Sequence, residues 1–313
     1  MRIVFCGTPQ FAIPTLKNLL AQPDFKIVGV ITQPDRPRGR GRELSSSPVK
    51  KAALAANIPV HQPERIRAPE SQDLLQRLAP DCIVIIAYGQ IIPARLLPIP
   101  KLGWINLHAS LLPKYRGAAP INWAIASGET KTGLTSMRID AGMDTGEILL
   151  QRELEIGATE TAPELAARMA EFGAPLMLET LRGLPSGAIK PRPQNNAEAT
   201  YAPILKREDG RIDWTLPARA IFNRMRGFSP WPGAFTTFRG KTCHVWAQPV
   251  LNHMPTNAPP GTLLFWREEL LVACGDATTL LLLSVKLEGR KQVSAVEFAN
   301  GARLKTSEQF GKS

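Results

Sequence analysis

Asp81-Cys82-Ile83-Val84-Ile85-Ile86-Ala87 is apolar at every position after Asp81. A half-exposed strand would alternate polar and apolar residues; an unbroken, β-branched run fits a central strand covered on both faces. Working outward, the β-rich runs Arg2–Phe5 and Lys26–Ile31 precede it, and Gly103–Leu107 follows. Helical patterns lie between and around them, over Phe11–Leu20, Pro48–Ala56, Gln72–Leu78 and Ala119–Ser127. This alternation predicts an α/β domain with a doubly wound, mostly parallel, Rossmann-like sheet. Thr161-Ala-Pro-Glu164 is a capping-box pattern and opens a further helix. Its stripe Leu165, Met169, Phe172 and Leu176 is expected to be core, with Gly183 near its end and a kink or split at Pro175.

The texture then changes. Residues 185–206 carry no periodic pattern. The stretch 190–206 reads as a linker joining a domain over 1–189 to a second over 207–313. In the second, a short helix over Ala218–Met225 is broken by Ser229-Pro-Trp-Pro-Gly233. Short strands are expected near 234–238, 242–248, 261–265, 270–274 and 278–286. Five such strands suit a small β-barrel of OB type, a fold that often holds nucleic acid, though fold alone does not set function.

The chain has 313 residues, 44% hydrophobic and 21% charged, as a globular protein of two domains would. No apolar run is long enough to span a membrane, and the first residues turn polar too soon for a signal peptide. Cys6, Cys82, Cys243 and Cys274 are far apart, and Cys6 and Cys82 fall in strand-like runs that suit buried thiols. These features suit the cytoplasm. Net charge is +11, and the excess is localised. Residues 36–51 hold Arg36, Arg38, Arg40, Arg42, Lys50 and Lys51 against Glu43 alone; residues 207–313 hold 14 Lys/Arg against 9 Asp/Glu. Both a polyanion-binding surface and a merely solvated charge run fit that pattern.

Of the four histidines, His61, His108, His244 and His253, only His108 stands in a suggestive setting. Asn106 and His108 share one face at the end of a strand, where open α/β sheets place their sites. Asp140-Ala-Gly-Met-Asp144-Thr-Gly146 follows downstream and could bring a carboxylate to the imidazole. An Asn, a His and an Asp suffice for acyl transfer to an amine. A structural histidine beside an asparagine is the commoner arrangement, so the residues alone leave both readings open. His61 and His253 lie beside prolines in loop-like sequence and read as structural. No metal-ligand spacing, nucleophile elbow or phosphate-binding glycine loop is present.

The longer text is more specific. Asn106-Leu-His108-Ala-Ser110-Leu111-Leu112-Pro113-Lys-Tyr-Arg116-Gly117, with Gly133-Leu-Thr and Asp140 to Gly146, resembles the signature of the folate-dependent formyltransferases. The resemblance implies Asn106, His108 and Asp144 as the catalytic residues and 10-formyltetrahydrofolate as formyl donor, with no metal. It implies a folate pocket from Ala87, Tyr88, Gly89, Ile91, Ser110, Leu111, Leu112, Pro113 and Asp140. Thr32-Gln-Pro-Asp-Arg36-Pro-Arg38-Gly-Arg40-Gly-Arg42-Glu-Leu resembles the basic loop of those members that formylate methionylated initiator tRNA. Arg38 departs from the small residue usual there. Pro230-Trp-Pro-Gly-Ala234 resembles the start of their C-terminal domain. tRNA contacts are thereby implied for Arg36, Arg38, Arg40, Arg42 and Lys50. At the linker's end and in the second domain they are expected of Lys206, Arg207, Arg211, Arg224, Arg226 and Lys241. No membrane and no obligate protein partner are implied. A nucleotide-sugar formyltransferase or a formyltetrahydrofolate hydrolase would share the catalytic text but lack the arginine loop. A non-catalytic nucleic-acid binder would leave Asn106, His108 and Asp144 unexplained.

Overall fold

The computed structural model describes residues 1–38, 43–250, 256–305 and 308–312. They form two compact units, one from 1–120, 131–155 and 164–203, the other from 121–130, 156–163 and 204–313.

The first unit's strands are β1 (Arg2–Gly7), β2 (Lys26–Ile31), β3 (Arg36–Arg38), β4 (Glu43–Ser45), β5 (Val60–His61), β6 (Cys82–Ile86), β7 (Trp104–His108), β8 (Lys131–Arg138) and β9 (Ile148–Glu155). Seven of them make one sheet in the order β5-β2-β1-β6-β7-β8-β9. The pairs from β5 to β7 are parallel, and β8 and β9 add antiparallel strands. The chain moves outward from β1 to β2 and β5, then returns to the other side of β1 as β6. Ligand crevices in such sheets open beyond the carboxyl ends of the strands at this reversal. Every residue of β6 is buried, as its apolar run requires.

Helices α1 (Ile13–Leu20), α2 (Pro48–Ala55) and α3 (Pro69–Leu78) each carry a proline in the first turn, where the missing N–H costs nothing. Ser47 caps α2 through its side chain on the Lys50 amide. β3 and β4 pair with each other, Arg36 opposite Ser45, so the basic stretch is not an open loop along its whole length. Arg40 and Arg42 lie outside the described residues, as do the side chain of Arg38 and the whole of His253.

After α4 (Pro120–Ala126) comes α5 (Ala162–Gly183), which runs through Pro175 as a single helix. The core stripe differs from expectation at one position. Leu165, Met169 and Leu176 are buried, but Phe172 is 42% exposed and Gly173 takes its place against the sheet. A Cβ on Gly173 would stand 2.5 Å from Leu107 Cδ2, on the strand that ends in His108. Gly173→Ala is therefore expected to destabilise the chain by about 1–3 kcal/mol despite alanine's better helix propensity. Urea unfolding checks this; a gain in stability would show that Leu107 yields freely.

The presumed linker also differs. Residues 190–203 belong to the first unit, with Arg192 bridging Ile148 and Ala202 exchanging backbone hydrogen bonds with Arg116 and Ala119. Segments 121–130 and 156–163, assigned to the first domain from sequence, cluster with the second unit. Irregular backbone held by scattered side-chain bonds has no period to read.

The second unit contains α6 (Ala218–Gly227), β10 (Phe235–Phe238), β11 (Lys241–Pro249), β12 (Leu263–Trp266), β13 (Glu269–Ala273), β14 (Thr279–Leu287), β15 (Val293–Ser294) and α7 (Ala295–Ala302). The sheet is antiparallel throughout, in the order β10-β11-β14-β13-β12, with β15 on β14. Residues 308–311 hydrogen-bond to both outer strands' ends: the Glu308 carbonyl accepts from the Leu263 amide, and the amides of Phe310 and Gly311 donate to the carbonyls of Gly261 and Thr237. That strap closes the sheet into a small barrel and plants Phe310 between Trp214 and Phe298.

Candidate active site and basic surfaces

His108 ends β7 and is 5% exposed. Its Nε2 lies 3.0 Å from the Tyr115 carbonyl oxygen, and its Nδ1 lies 3.7 Å from Asp144 Oδ2. The first is a hydrogen bond; the second is an ion-pair separation that leaves this edge of the ring without a direct bond. Asn106, two residues back on the same face, is half-buried, and its side-chain amide has no partner among the described residues. Asn106 and His108 thus lie on one face at the carboxyl end of β7.

Asp144 arrives by an indirect route. β8 is antiparallel to β7, and Arg138 at its end pairs with Ile105, so the connection to β9 starts at the far end of β7. It folds back until Asp144 Oδ2 accepts from the Gly117 amide at 2.8 Å. Asp140 holds that connection together by accepting from Thr145 Oγ1 at 2.8 Å and the Gly142 amide at 3.0 Å. Gly117 has φ +119°, and a Cβ there would stand 2.7 Å from the Ala202 carbonyl, so only glycine fits.

The residues expected around a folate divide into three groups. Ala87, Gly89 and Ile91 are exposed in the loop after β6, Ile91 at 91%. Tyr88 differs from expectation: its ring is buried in the core among Val4, Cys6 and Ile85, and only its carbonyl faces the loop, accepting from Thr8 Oγ1 and Gln33 Nε2. Ser110 and Leu112 are structural as well. The Ser110 hydroxyl donates to the Lys114 carbonyl, and Leu112 packs with Met137 and Ile148. Thr135 pins this segment by donating to Ser110 O and accepting from the Leu112 amide. Leu111 lies over Gly133, and Pro113 accepts at its carbonyl from Thr200. Among the described residues, no group of three His, Cys, Asp or Glu could hold a metal ion. The four cysteines are free and buried, and burial pushes the thiols of Cys82, Cys243 and Cys274 up to about 12.

The family model described as formyl transferase matches residues 1–181, and that of the formyl transferase C-terminal domain matches residues 204–303. This chain belongs to the formyl transferase family. A methionyl-tRNA formyltransferase of Solibacter usitatus is 54% identical over 100% of this chain and 99% of its own. One of Koribacter versatilis is 52% identical, again over 100% and 99%. Among solved structures, an N-formyltransferase from Helicobacter canadensis, in complex with folinic acid and dTDP-3-aminofucose, matches with TM-score 0.64 and 18% identity. That match covers 90% of this chain and 98% of the other, and it shows the shared fold.

The basic residues of this formyl transferase are unequal. Lys50 is tied down, 2.5 Å from Asp35 Oδ2 and 2.8 Å from Gln62 Oε1. The Lys50 ammonium and the Gln62 amide hold the Asp35 carboxyl below the usual carboxylate range. Arg226 is 5% exposed and donates to the carbonyls of Gly157 and Glu160 and to Asn223, so it braces the second unit. Arg224 lies over the Phe228 ring and donates to the Asp209 carbonyl. Arg36, Lys206, Arg207, Arg211 and Lys241 are exposed. Arg207 caps a run of rings on the barrel, Phe235, His244 and Trp246. Burial and the charges of Lys286 and Arg207 lower the pKa of His244. Counting charges could not separate these roles, because a buried arginine and an exposed one read alike. Sequence reasoning also missed Tyr115, Thr135, Gln194 and Thr200, which act through backbone contacts or from a stretch with no pattern.

Proposed function

We propose that this formyl transferase moves the formyl group of 10-formyltetrahydrofolate to the free amino group of methionylated initiator tRNA, in the cytoplasm, giving N-formylmethionyl-tRNA. The observation that carries the chemistry is His108, held between Tyr115 and Asp144, beside the amide of Asn106, which has no partner among the described residues. Full-length relatives that carry this activity in their names support the choice of acceptor.

The folate supplies a carbonyl carbon whose leaving group is an amine. The chain's own residues do the rest. Asn106 Nδ2–H and His108 Nδ1–H donate to the oxygen of the formyl carbonyl as it gains charge under attack by the amine. The 3.7 Å gap between His108 and Asp144 leaves that edge of the ring without a direct bond and so available to the substrate. As the bond from the formyl carbon to the folate nitrogen breaks, the proton lost by the attacking amine is taken up by that departing nitrogen, so the products are the N-formyl amide and tetrahydrofolate. The exposed apolar side chains of Ile91 and Met143 (57%) and the small residues Ala87 and Gly89 fit a flat ring system laid against the loops. For the tRNA we assign Arg36, Arg38, Arg40 and Arg42 at the first unit, and Lys206, Arg207, Arg211 and Lys241 at the second.

Incubation with 10-formyltetrahydrofolate and methionyl-initiator tRNA tests the reading, with formylmethionine as product. Formate released without formylmethionine would point to transfer to water instead. Asp144→Asn should slow turnover by about 10- to 100-fold with folate affinity retained; an unchanged rate would make Asp144 a turn-forming residue only.

A further inference from the structure

Gln194 lies in the segment whose sequence reads as a linker, yet it reaches the back of the active-site turn. Its Nε2 donates to the carbonyls of Asp144 (2.8 Å) and Gly146 (2.7 Å), and its Oε1 accepts from Arg116 Nε (3.1 Å) and Nη2 (2.7 Å). Four hydrogen bonds saturate one amide, two donated and two accepted. Arg116 is 2% exposed and has no carboxylate partner among the described residues; its remaining acceptor here is Asn196 Oδ1 at 2.8 Å.

The residues on either side of Arg116 touch the other half of the site. Tyr115 O meets His108 Nε2, and the Gly117 amide meets Asp144 Oδ2. Asp144 itself has φ +53°, a left-handed conformation that a non-glycine residue keeps only when its surroundings hold it. Gln194 grips the carbonyl of that residue and of the next but one. One amide and three consecutive residues therefore fix the separation of Asp144 and His108.

We propose that Gln194, working against Arg116, is a positioning residue for formyl transfer: it sets the Asp144 turn at its distance from His108. The proposal rests on the reading of Asp144 as His108's supporting carboxylate. Side-chain chemistry makes glutamine the residue required. Glutamate would pair with Arg116 but would turn a bare oxygen toward two carbonyl oxygens, and asparagine would not reach.

The test is steady-state kinetics with 10-formyltetrahydrofolate and methionyl-initiator tRNA, alongside thermal unfolding, on the full chain. Gln194→Glu keeps an acceptor for the buried guanidinium but loses both donated hydrogen bonds, so its melting temperature should fall less than that of Gln194→Met. Its kcat should fall about 10- to 100-fold, with KM for both substrates within about twofold, as a misplacement of about 1 Å can cost that much. Because both residues act through one contact, Gln194→Glu combined with Asp144→Asn should be about as slow as Asp144→Asn alone. Gln194→Met, which removes all four hydrogen bonds at similar length, should show the same kcat loss per folded molecule. Wild-type kcat in Gln194→Glu, multiplicative losses in the double variant, or a Gln194→Met defect confined to melting would each overturn the proposal. Wild-type turnover in Asp144→Asn would remove the reading of Asp144, and this proposal with it. A slow Asp144→Asn beside a fast Gln194→Glu removes the proposal alone.

Discussion

Asn106→Ala is expected to turn over about two to three orders of magnitude more slowly than the wild-type chain, and His108→Ala at least as slowly. On the proposed assignment each loses a donor aimed at charge that exists only while the formyl carbonyl is under attack, and removing one such donor raises the barrier by about 2.7–4 kcal/mol. Asn106 carries no other side-chain bond among the described residues, so its removal should leave the fold intact. His108 differs, because its ring also bonds the Tyr115 carbonyl, and some loss of stability should accompany its loss of rate. Single-turnover formylation with saturating tRNA isolates the chemical step. Wild-type rates in Asn106→Ala would remove the oxyanion assignment.

Replacing Lys206, Arg207, Arg211 and Lys241 together by glutamine should flatten the salt dependence of tRNA binding by about three units, at roughly 0.7–0.9 per lost phosphate contact. The loss should be alike for initiator and elongator tRNAs, because phosphates carry no sequence. Arg226→Met is the control. That guanidinium serves carbonyls inside the second unit, so the variant should melt earlier and keep the wild-type salt slope. Arg42→Ala, by contrast, should reduce turnover and blur initiator discrimination while binding changes little. A four-residue variant that keeps its salt slope would show that the barrel is not the tRNA surface.

What could be read from the sequence follows from where the signals are physically strong. The unbroken apolar run of β6, the short barrel strands and the shared face of Asn106 and His108 are all local patterns, and the structure has them near the expected positions. Phe172 and Gly173 show how a period misleads by one residue: an aromatic looks like core, but the close approach of α5 to Leu107 admits only a hydrogen there. Tyr88 and Ser110 show a second limit. A motif names residues without saying whether the side chain or the backbone faces the ligand. Lys50 and Arg226 show a third, since pairing and burial depend on Asp35, Gln62 and Gly157, which are distant in sequence or carry no signal. Gln194 had none of these cues: its four hydrogen bonds go to two backbone carbonyls and one guanidinium from elsewhere in the chain.

The path of residues 190–203 also bears on how such proteins exchange parts. A crossover placed at the sequence boundary near 190 would give a chimera a foreign Gln194, Asn196 and Thr200 beneath its own Arg116 and Asp144. A junction just after Pro203 would carry the whole strap along with the sheet it braces. A hybrid joined at the later seam should therefore keep the contacts of Gln194 that a hybrid joined at the earlier one puts at risk. The first unit runs on to Pro203, well past Gly183, where its last α-helix ends.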